Sequence, residues 1–138
     1  MKKQILCLLG IGVLAVWTTG CSQGRKAAAQ GAASEWLKLV DSGNYAQSWD
    51  AAANLMKSSV AKEQWQQILN ANRAPLGSLI SRKLTSAEYK EDLPGAPSGE
   101  YVVLRYESSF QNRNAVIETA APTLDKDGTW RVSLYYIK

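Results

Sequence analysis

Any catalysis by this chain would have to use carboxylates and tyrosines. The sequence has no histidine and only two cysteines, Cys7 and Cys21. The Ser–His–Asp and Cys–His arrangements of nucleophilic catalysis are therefore excluded, as is a zinc site that uses histidine. No P-loop or GxGxxG stretch is present. We assign no catalytic residue, no metal and no cofactor, and a small acid–base enzyme that uses a pocket carboxylate is an alternative function.

Four side chains form a candidate surface patch. Alternation along the predicted strands brings together Arg105, Glu107, Glu118 and Tyr135 on the sheet face away from the helices. Two carboxylates that face each other are unfavourable alone, and Arg105 lies diagonal to Glu118, where it neutralises them. A solvated charge ladder is the first interpretation, and a recognition patch or a homodimer seam is the alternative. An acid–base enzyme would instead need a carboxylate whose pKa is shifted by burial.

This face assignment depends on two hairpin turns, "QNRN" and "DKDG". The first is predicted to pair Gln111 with Asn114, and the second to pair Leu124 with Thr129. Both pairings place alternate residues of the third strand on the core side, namely Ala115, Ile117 and Thr119. Glu118 then points outward. A slip of one residue would exchange the two faces.

The N-terminus predicts a lipoprotein signal. Lys2 and Lys3 precede an apolar run, Ile5–Trp17, which has the length of a signal-peptide core and is too short to span a bilayer. The following "TTGC" resembles the lipobox of bacterial lipoproteins, although Thr18 stands where leucine is usual. Cleavage before Cys21 would leave that cysteine acylated. An ordinary secretory signal with a free Cys21 is the alternative.

The signal implies a location in the bacterial envelope. Each buried CH₂ of an acyl chain contributes about 0.8 kcal/mol, so two or three chains make a lasting anchor. By analogy with Gram-negative lipoproteins, Ser22 after the acylated cysteine favours the outer membrane, facing the periplasm. Loss of Lys2 and Lys3 lowers the basic residues from 16 to 14 against 12 acidic ones, which gives no reason to expect nucleic-acid binding. The expected partners are the membrane and an unknown envelope protein or small ligand.

The remaining chain predicts a single α+β domain. Residues 1–20 are assigned to the signal, residues 21–26 to the acylated cysteine and a tether, and residues 27–138 to the domain. The apolar period is near 3.6 before Gly77 and near two after it, as in helices followed by strands. The helices are predicted from Ala27 to about Val40, over Tyr45–Met56 and over Val60–Asn70, and the strands over 78–89, 100–110, 114–124 and 129–137. The layout is three helices packed on a curved four-stranded antiparallel meander.

Within the strands, the more apolar face is assigned to the helices. In the fourth strand this face carries Trp130, Val132, Leu134 and Tyr136. The tryptophans Trp36, Trp49, Trp65 and Trp130 are interpreted as core residues rather than as the lining of a pocket. The loop "LPGAPSG", residues 93–99, is interpreted as a connector rather than a binding lid, because proline and glycine are common in ordinary turns.

Four stretches together resemble a known family. They are "EWLKLVDSGNYAQSWDAAANLMKSSVAKEQW", "RAPLGSLISR", "LPGAPSGEYVVLRYESSF" and "DGTWRVSLYYIK", and in this order they are similar to the bacterial domain-of-unknown-function family 4019. The resemblance implies a roll of the nuclear-transport-factor-2-like, or cystatin-like, type and no established activity. Such rolls host isomerases, dehydratases and binding modules, so the fold does not fix the function. The sequence favours a non-catalytic binding or interaction module.

Overall fold

The structure, a computed structural model, describes the backbone of residues 19–138 and the side chains from Cys21 onward. The apolar run assigned to the signal lies outside the described residues. None of the described helices combines the length and the apolar character that crossing a membrane requires. The architecture is α+β, as predicted, with helices followed by one antiparallel sheet.

Within residues 19–138, four α-helices precede the sheet. They are α1 (Thr19–Asp41), α2 (Tyr45–Asp50), α3 (Asn54–Ser59) and α4 (Lys62–Asn72). Helix α1 is already formed over residues 21–26, so the segment predicted as a tether is helical. The predicted second helix is divided into α2 and α3, because the Ala53 N–H leaves the helical pattern and donates to the carbonyl of Val132 at 2.9 Å. This bond attaches the α2–α3 link to the last strand.

The sheet is a four-stranded meander. Its strands are β1 (Leu79–Lys90), β2 (Tyr101–Phe110), β3 (Arg113–Leu124) and β4 (Trp130–Ile137), and each pairs with the next in antiparallel fashion. A turn of 3₁₀ helix and Gly77 connect α4 to β1. Gly77 has a φ of +77°, and a Cβ at this position would lie 3.0 Å from the Cβ of Gln111. Glycine is therefore required there.

Helix α1 packs on one face of the sheet and forms the core with it. Its predicted apolar face is buried, namely Ala33, Trp36, Leu37 and Val40. Trp36 and Trp65 are each 4% exposed, and Trp49 and Trp130 pack against the core while partly buried. The prediction that the tryptophans are core residues is therefore confirmed for Trp36 and Trp65, whereas Trp49 and Trp130 lie at the margin of the core. Among the described residues, those of the core lie between Ala29 and Ile137.

The indole N–H groups join the helices through hydrogen bonds. Trp36 donates to the carbonyl of Ser48 at 2.7 Å, and Trp65 donates to the Ser48 hydroxyl at 3.0 Å. Trp49 donates to the carbonyl of Val60 at 2.8 Å. Buried indole nitrogens need such partners, and here the partners fix α1, α2 and α4 relative to one another.

Along most of their length, β2 and β3 pair in a register that differs by one residue from the predicted register. Phe110 pairs with Arg113 rather than Gln111 with Asn114. A bulge follows, in which two residues of β3 lie opposite one residue of β2, and Ala115 there has a φ of +54°. Beyond it Tyr106 pairs with Glu118 rather than with Thr119. Because side chains alternate along a strand, this shift exchanges the faces of β3.

A second bulge lies between β3 and β4. Leu124 pairs with Trp130 rather than with Thr129, and the register shifts between Ala121 and Pro122. Proline has no N–H to donate to the ladder, so an interior strand tolerates it at a bulge. The bulge places two residues that are three apart on the helix side, Val132 at 1% exposed and Tyr135 at 6%.

Because of these bulges, several residues lie on the opposite face of the sheet from the predicted one. Residues assigned to the core lie on the outer face, where Ile117, Leu134 and Tyr136 are 39%, 46% and 39% exposed. Ala115 is also exposed. Thr119 is buried, but it pairs with Arg105 and Tyr136 on the outer side. The predicted faces of β2 and the inward position of Val132 are confirmed.

Candidate functional site

The predicted surface patch is divided between the two faces of the sheet. Glu118 is 0% exposed and Tyr135 is 6% exposed, both on the side of the helices. Arg105 and Glu107 are exposed on the outer side. The predicted proximity of Glu118 and Tyr135 is present, but their predicted exposure is wrong because of the two bulges. The polar residues of the sheet therefore belong to two separate regions, a buried charged cluster and an outer groove.

The buried charged cluster is centred on the carboxylate of Glu118. Arg82 donates to it from Nε at 2.7 Å and from Nη2 at 3.0 Å. The hydroxyls of Ser108 and Tyr135 donate to its two oxygens, each at 2.5 Å. Strands β1, β2 and β4 thus each supply a donor to one carboxylate of β3. Buried charges are tolerated when they are paired and hydrogen-bonded in this way.

A second carboxylate completes the cluster. Asp41, at the end of α1, accepts from Arg82 at 2.7 Å and 2.9 Å and from Arg73 at 3.2 Å. A negative charge at a helix C-terminus opposes the helix dipole, and the two arginines compensate for it. Arg73 is 2% exposed, donates to the carbonyl of Gly77 at 2.6 Å and lies 4.3 Å over the ring of Phe110. Two arginines and two carboxylates leave the cluster without net charge.

The pKa values within the cluster reflect this environment. Burial raises the pKa of the Tyr135 phenol well above its usual range, and the charge and hydrogen bond of Glu118 act in the same direction. Burial also raises the pKa of Tyr106 to about 12, with Arg82 opposing the shift and Glu118 adding to it. For Arg82 burial lowers the pKa, but the hydrogen bonds to Asp41 and Glu118 outweigh it and raise the pKa. These tyrosines stay neutral and the arginine stays charged near neutral pH.

The cluster is closed to solvent around Glu118. Its carboxylate accepts four hydrogen bonds and has no exposed surface. A substrate would have to displace the protein's own donors to reach it. Burial alone would favour an acid–base role, but the bonding in this arrangement supports a structural role. Glu118 joins the strands of the sheet through Arg82 to the end of α1.

The outer groove lies on the opposite face of the sheet and has a volume of about 470 Å³. This size lies within the range of small-molecule sites. Its floor is formed by outer-face side chains of β2 and β4, including Val103, Leu134 and Tyr136. The proline- and glycine-containing loop, residues 93–96, forms one wall, and Leu55 of α3 also contributes to the lining.

The loop is fixed against the sheet rather than free. The Tyr101 hydroxyl donates to the carbonyl of Pro97 at 2.6 Å, and Tyr101 itself is 2% exposed. The N–H of Gly99 donates to the carbonyl of Glu91 at 3.1 Å, which closes the loop at its base. Gly95 adopts a φ of +79° at the tip. The segment predicted as a connector does connect β1 to β2, and it also supplies a fixed wall of the groove.

The charged residues that line the groove are cations. Lys90 and Arg105 contribute to its lining, and no carboxylate of the described chain does. Glu88 lies between them, 3.4 Å from Lys90 Nζ and 3.7 Å from Arg105 Nη1, and all three side chains are about half exposed. Exposed pairs of this length are weak, so both cations can bind a further anion. The groove therefore presents an apolar floor with positive charge beside it.

The first turns of α1 lie beside the same loop. Arg25 donates to the Tyr89 hydroxyl at 3.1 Å and lies 3.2 Å from the carboxylate of Glu100. Tyr89 and Glu100 flank the loop at the end of β1 and the start of β2. Cys21, which is exposed, precedes Arg25 by four residues, or about 6 Å of helix. The predicted acylation site is thus close to the loop end of the domain.

Sequence reasoning missed the partners of Glu118. Arg82, Ser108 and Asp41 were assigned no functional role. One signal was available for the second bulge, because Pro122 lies within a strand whose neighbours lie on both sides. The first bulge depends on Ala115, a residue type that gives no sign of positive φ. The groove depends on loop placement, which local patterns do not specify.

The comparisons with known proteins give one result. The model of the family described as protein of unknown function (DUF4019) matches residues 32–135. The matched range includes α2–α4, β1–β3, the buried charged cluster and the outer groove except for Tyr136. Neither a curated protein nor a solved structure matches the chain.

Proposed function

Because the chain belongs to the DUF4019 family, whose description assigns no activity, we propose its function from its own surface. The protein is a binding module of the bacterial envelope, tethered through acylated Cys21. It holds a small amphipathic molecule, with an apolar body and an anionic end, in the outer groove. The observation that carries this proposal is a groove that combines apolar side chains with Lys90 and Arg105 and has no carboxylate of the described chain in its lining.

The tether is supported by the sequence and by the position of Cys21. The apolar run and the stretch "TTG" precede Cys21, and Cys21 is exposed. The predicted destination is the outer membrane, facing the periplasm. Mass spectrometry of the purified N-terminus tests the tether. The expected N-terminus is an acylated Cys21, and a soluble, unmodified wild-type protein would contradict it.

The ligand class follows from complementarity. The exposed apolar surface of Leu134 and Tyr136 favours an apolar group, since burial of apolar area is the main favourable term in binding. The cations Lys90 and Arg105 favour an anionic end over a neutral or cationic one. On the helix side of the sheet, the carboxylate of Glu118 has no exposed surface and is already bonded to donors of the protein.

Two probes of opposite charge test this ligand class. The chain from Ser22 to Lys138 is titrated calorimetrically with dodecanoate and with dodecyltrimethylammonium, each below its micelle concentration. We expect dodecanoate to bind more tightly. Leu134→Asp should weaken dodecanoate binding at least tenfold, as expected from about 1.5–3 kcal/mol of lost side-chain burial. Arg105→Gln should weaken it by up to about fivefold.

The matched control is Ile80→Asp, at an apolar side chain that is 68% exposed and does not line the groove. It should leave dodecanoate binding unchanged. Equal binding of both probes, or equal binding by wild type and Leu134→Asp, would overturn the proposal. Sedimentation of the same samples distinguishes the homodimer alternative. A stable dimer that Leu134→Asp dissociates would show that a second copy covers this face.

A further inference from the structure

We infer that the molecule held in the outer groove is an acyl chain of an anionic lipid, taken from the bilayer in which the protein is anchored. This inference rests on the proposed function, since it names the ligand of the same groove. It adds a source, the membrane, and an orientation, with the loop of residues 93–96 facing the bilayer.

The first argument is proximity. Cys21 precedes Arg25 by one helical turn, and Arg25 contacts Tyr89 and Glu100 at the two ends of the loop segment. An acyl anchor on Cys21 therefore holds this end of the domain at the membrane surface. The apolar residues of the loop that line the groove, among them Leu93 and Pro94, are part of this end. A lipid chain can enter the groove there without crossing much water.

The second argument is the distribution of charge around the loop. On the side of α1, an open depression is lined by the carboxylates of Glu91, Asp92 and Glu100, with Arg25 as its cation. On the sheet side, the groove is lined by Lys90 and Arg105. An anionic headgroup is repelled on the first side and attracted on the second. The loop thus separates two surfaces, of which one suits an anionic lipid.

The third argument is that the groove is already formed. The hydrogen bond from Tyr101 to Pro97 and the closure of the loop base at Glu91 fix the wall, so no ordering of the loop opposes binding. Aliphatic and aromatic side chains supply the floor, as an acyl chain requires. Lys90 and Arg105 line the same groove, so an apolar chain and a charged end both find partners within one site.

Photocrosslinking in vesicles tests this inference on the full, acylated protein. Benzoylphenylalanine replaces Leu134 in one variant, Tyr136 in a second and Ile80 in a control. Each is reconstituted in vesicles of phosphatidylcholine with about a quarter phosphatidylglycerol, irradiated and analysed by mass spectrometry. We expect lipid adducts at positions 134 and 136 but not at 80. The ratio of phosphatidylglycerol to phosphatidylcholine adducts should be about fivefold higher than the ratio of the two lipids in the bilayer, and Arg105→Gln should remove much of this preference.

Each result of the crosslinking experiment either supports or overturns the inference. Equal lipid labelling at positions 134 and 80, or no lipid adduct at 134 and 136, would overturn the inference, and so would a crosslink to a second copy in place of lipid. If phosphatidylglycerol adducts were enriched equally with and without the Arg105→Gln change, the assignment of the headgroup site would be wrong. Circular dichroism of each variant shows whether it is folded. If dodecanoate binds in solution but no lipid is labelled, the lipid source fails while the proposed function stands.

Discussion

The two faces of the sheet use charge in opposite ways. On the helix side, Glu118 and Arg82 are bonded to each other and to neighbouring groups, and Glu118 has no exposed surface. On the outer side, Lys90 and Arg105 are about half exposed and only loosely paired with Glu88. The inner charges are bonded within the protein, whereas the outer ones are free to bind something else.

This difference shows why burial of a carboxylate does not by itself indicate a catalytic site. A buried ion pair gives little net stability compared with apolar residues, but removal of one partner is strongly destabilising. The buried charged cluster is therefore expected to matter for folding, and the outer groove for binding. Variants of both faces and a change of salt concentration test that division between folding and binding.

Glu118→Gln should destabilise the buried charged cluster on the helix side of the sheet. It leaves the two arginines of the buried cluster with Asp41 as their one remaining carboxylate, and we expect the free energy of unfolding to fall by about 3–5 kcal/mol. Urea denaturation measures it. The matched control is Glu107→Gln on the exposed side of β2, which should change the free energy of unfolding by less than about 0.5 kcal/mol. Similar small effects for both variants would place Glu118 on the surface.

Adjacent tyrosines of β4 give a finer test of the same division. Tyr135→Phe removes a buried hydroxyl donor from Glu118 and should lower the free energy of unfolding by about 1–3 kcal/mol. Tyr136→Phe on the outer face should change it by less than about 0.5 kcal/mol. Thermal or urea denaturation of the pair measures both values. A larger effect at Tyr136 than at Tyr135 would reverse the assigned faces.

Salt should separate the two faces in a single experiment. Raising NaCl from about 0.1 M to about 1 M shortens the screening length from about 10 Å to about 3 Å. Binding of dodecanoate should weaken by up to about fivefold, because Lys90 and Arg105 are exposed. The stability difference between wild type and Glu118→Gln should stay the same. If that difference disappeared in high salt, the inner cluster would be accessible to solvent.

The smallest effect is expected from an exposed ion pair in the β3–β4 turn. Arg131 donates to Asp127 at 3.0 Å and 2.8 Å, and these bonds, with that from the Thr129 N–H, lower the pKa of Asp127 from 3.8 to about 2. Because the folded-state pKa is lowered, the stabilisation is present above pH 3.8 and is lost as the pH falls towards 2. Melting temperatures of wild type and Asp127→Asn should converge over this range. A constant difference would show that the pair does not titrate with folding.

Much of the fold could be predicted because its signals are local. The apolar face of α1 and the change of period after Gly77 gave the element order, and the core tryptophans followed from their spacing. The position of Glu118 could not be predicted in the same way. Each bulge shifts a register by one residue, and two turns interpreted without bulges gave a consistent but wrong face. The agreement of two patterns is weak evidence when the same assumption underlies both.

The sequence by itself determined the chemistry that is available: no histidine in the chain, Cys21 as the candidate anchor, helices before strands, and family membership. It did so because residue type and periodicity are local properties. The tertiary structure alone decided which charges are bonded to one another and which remain accessible. The bulges at Ala115 and Pro122 turn Glu118 inward, and the attachment of the loop to Tyr101 completes the groove. Both depend on contacts between residues far apart in the chain, which no local pattern contains.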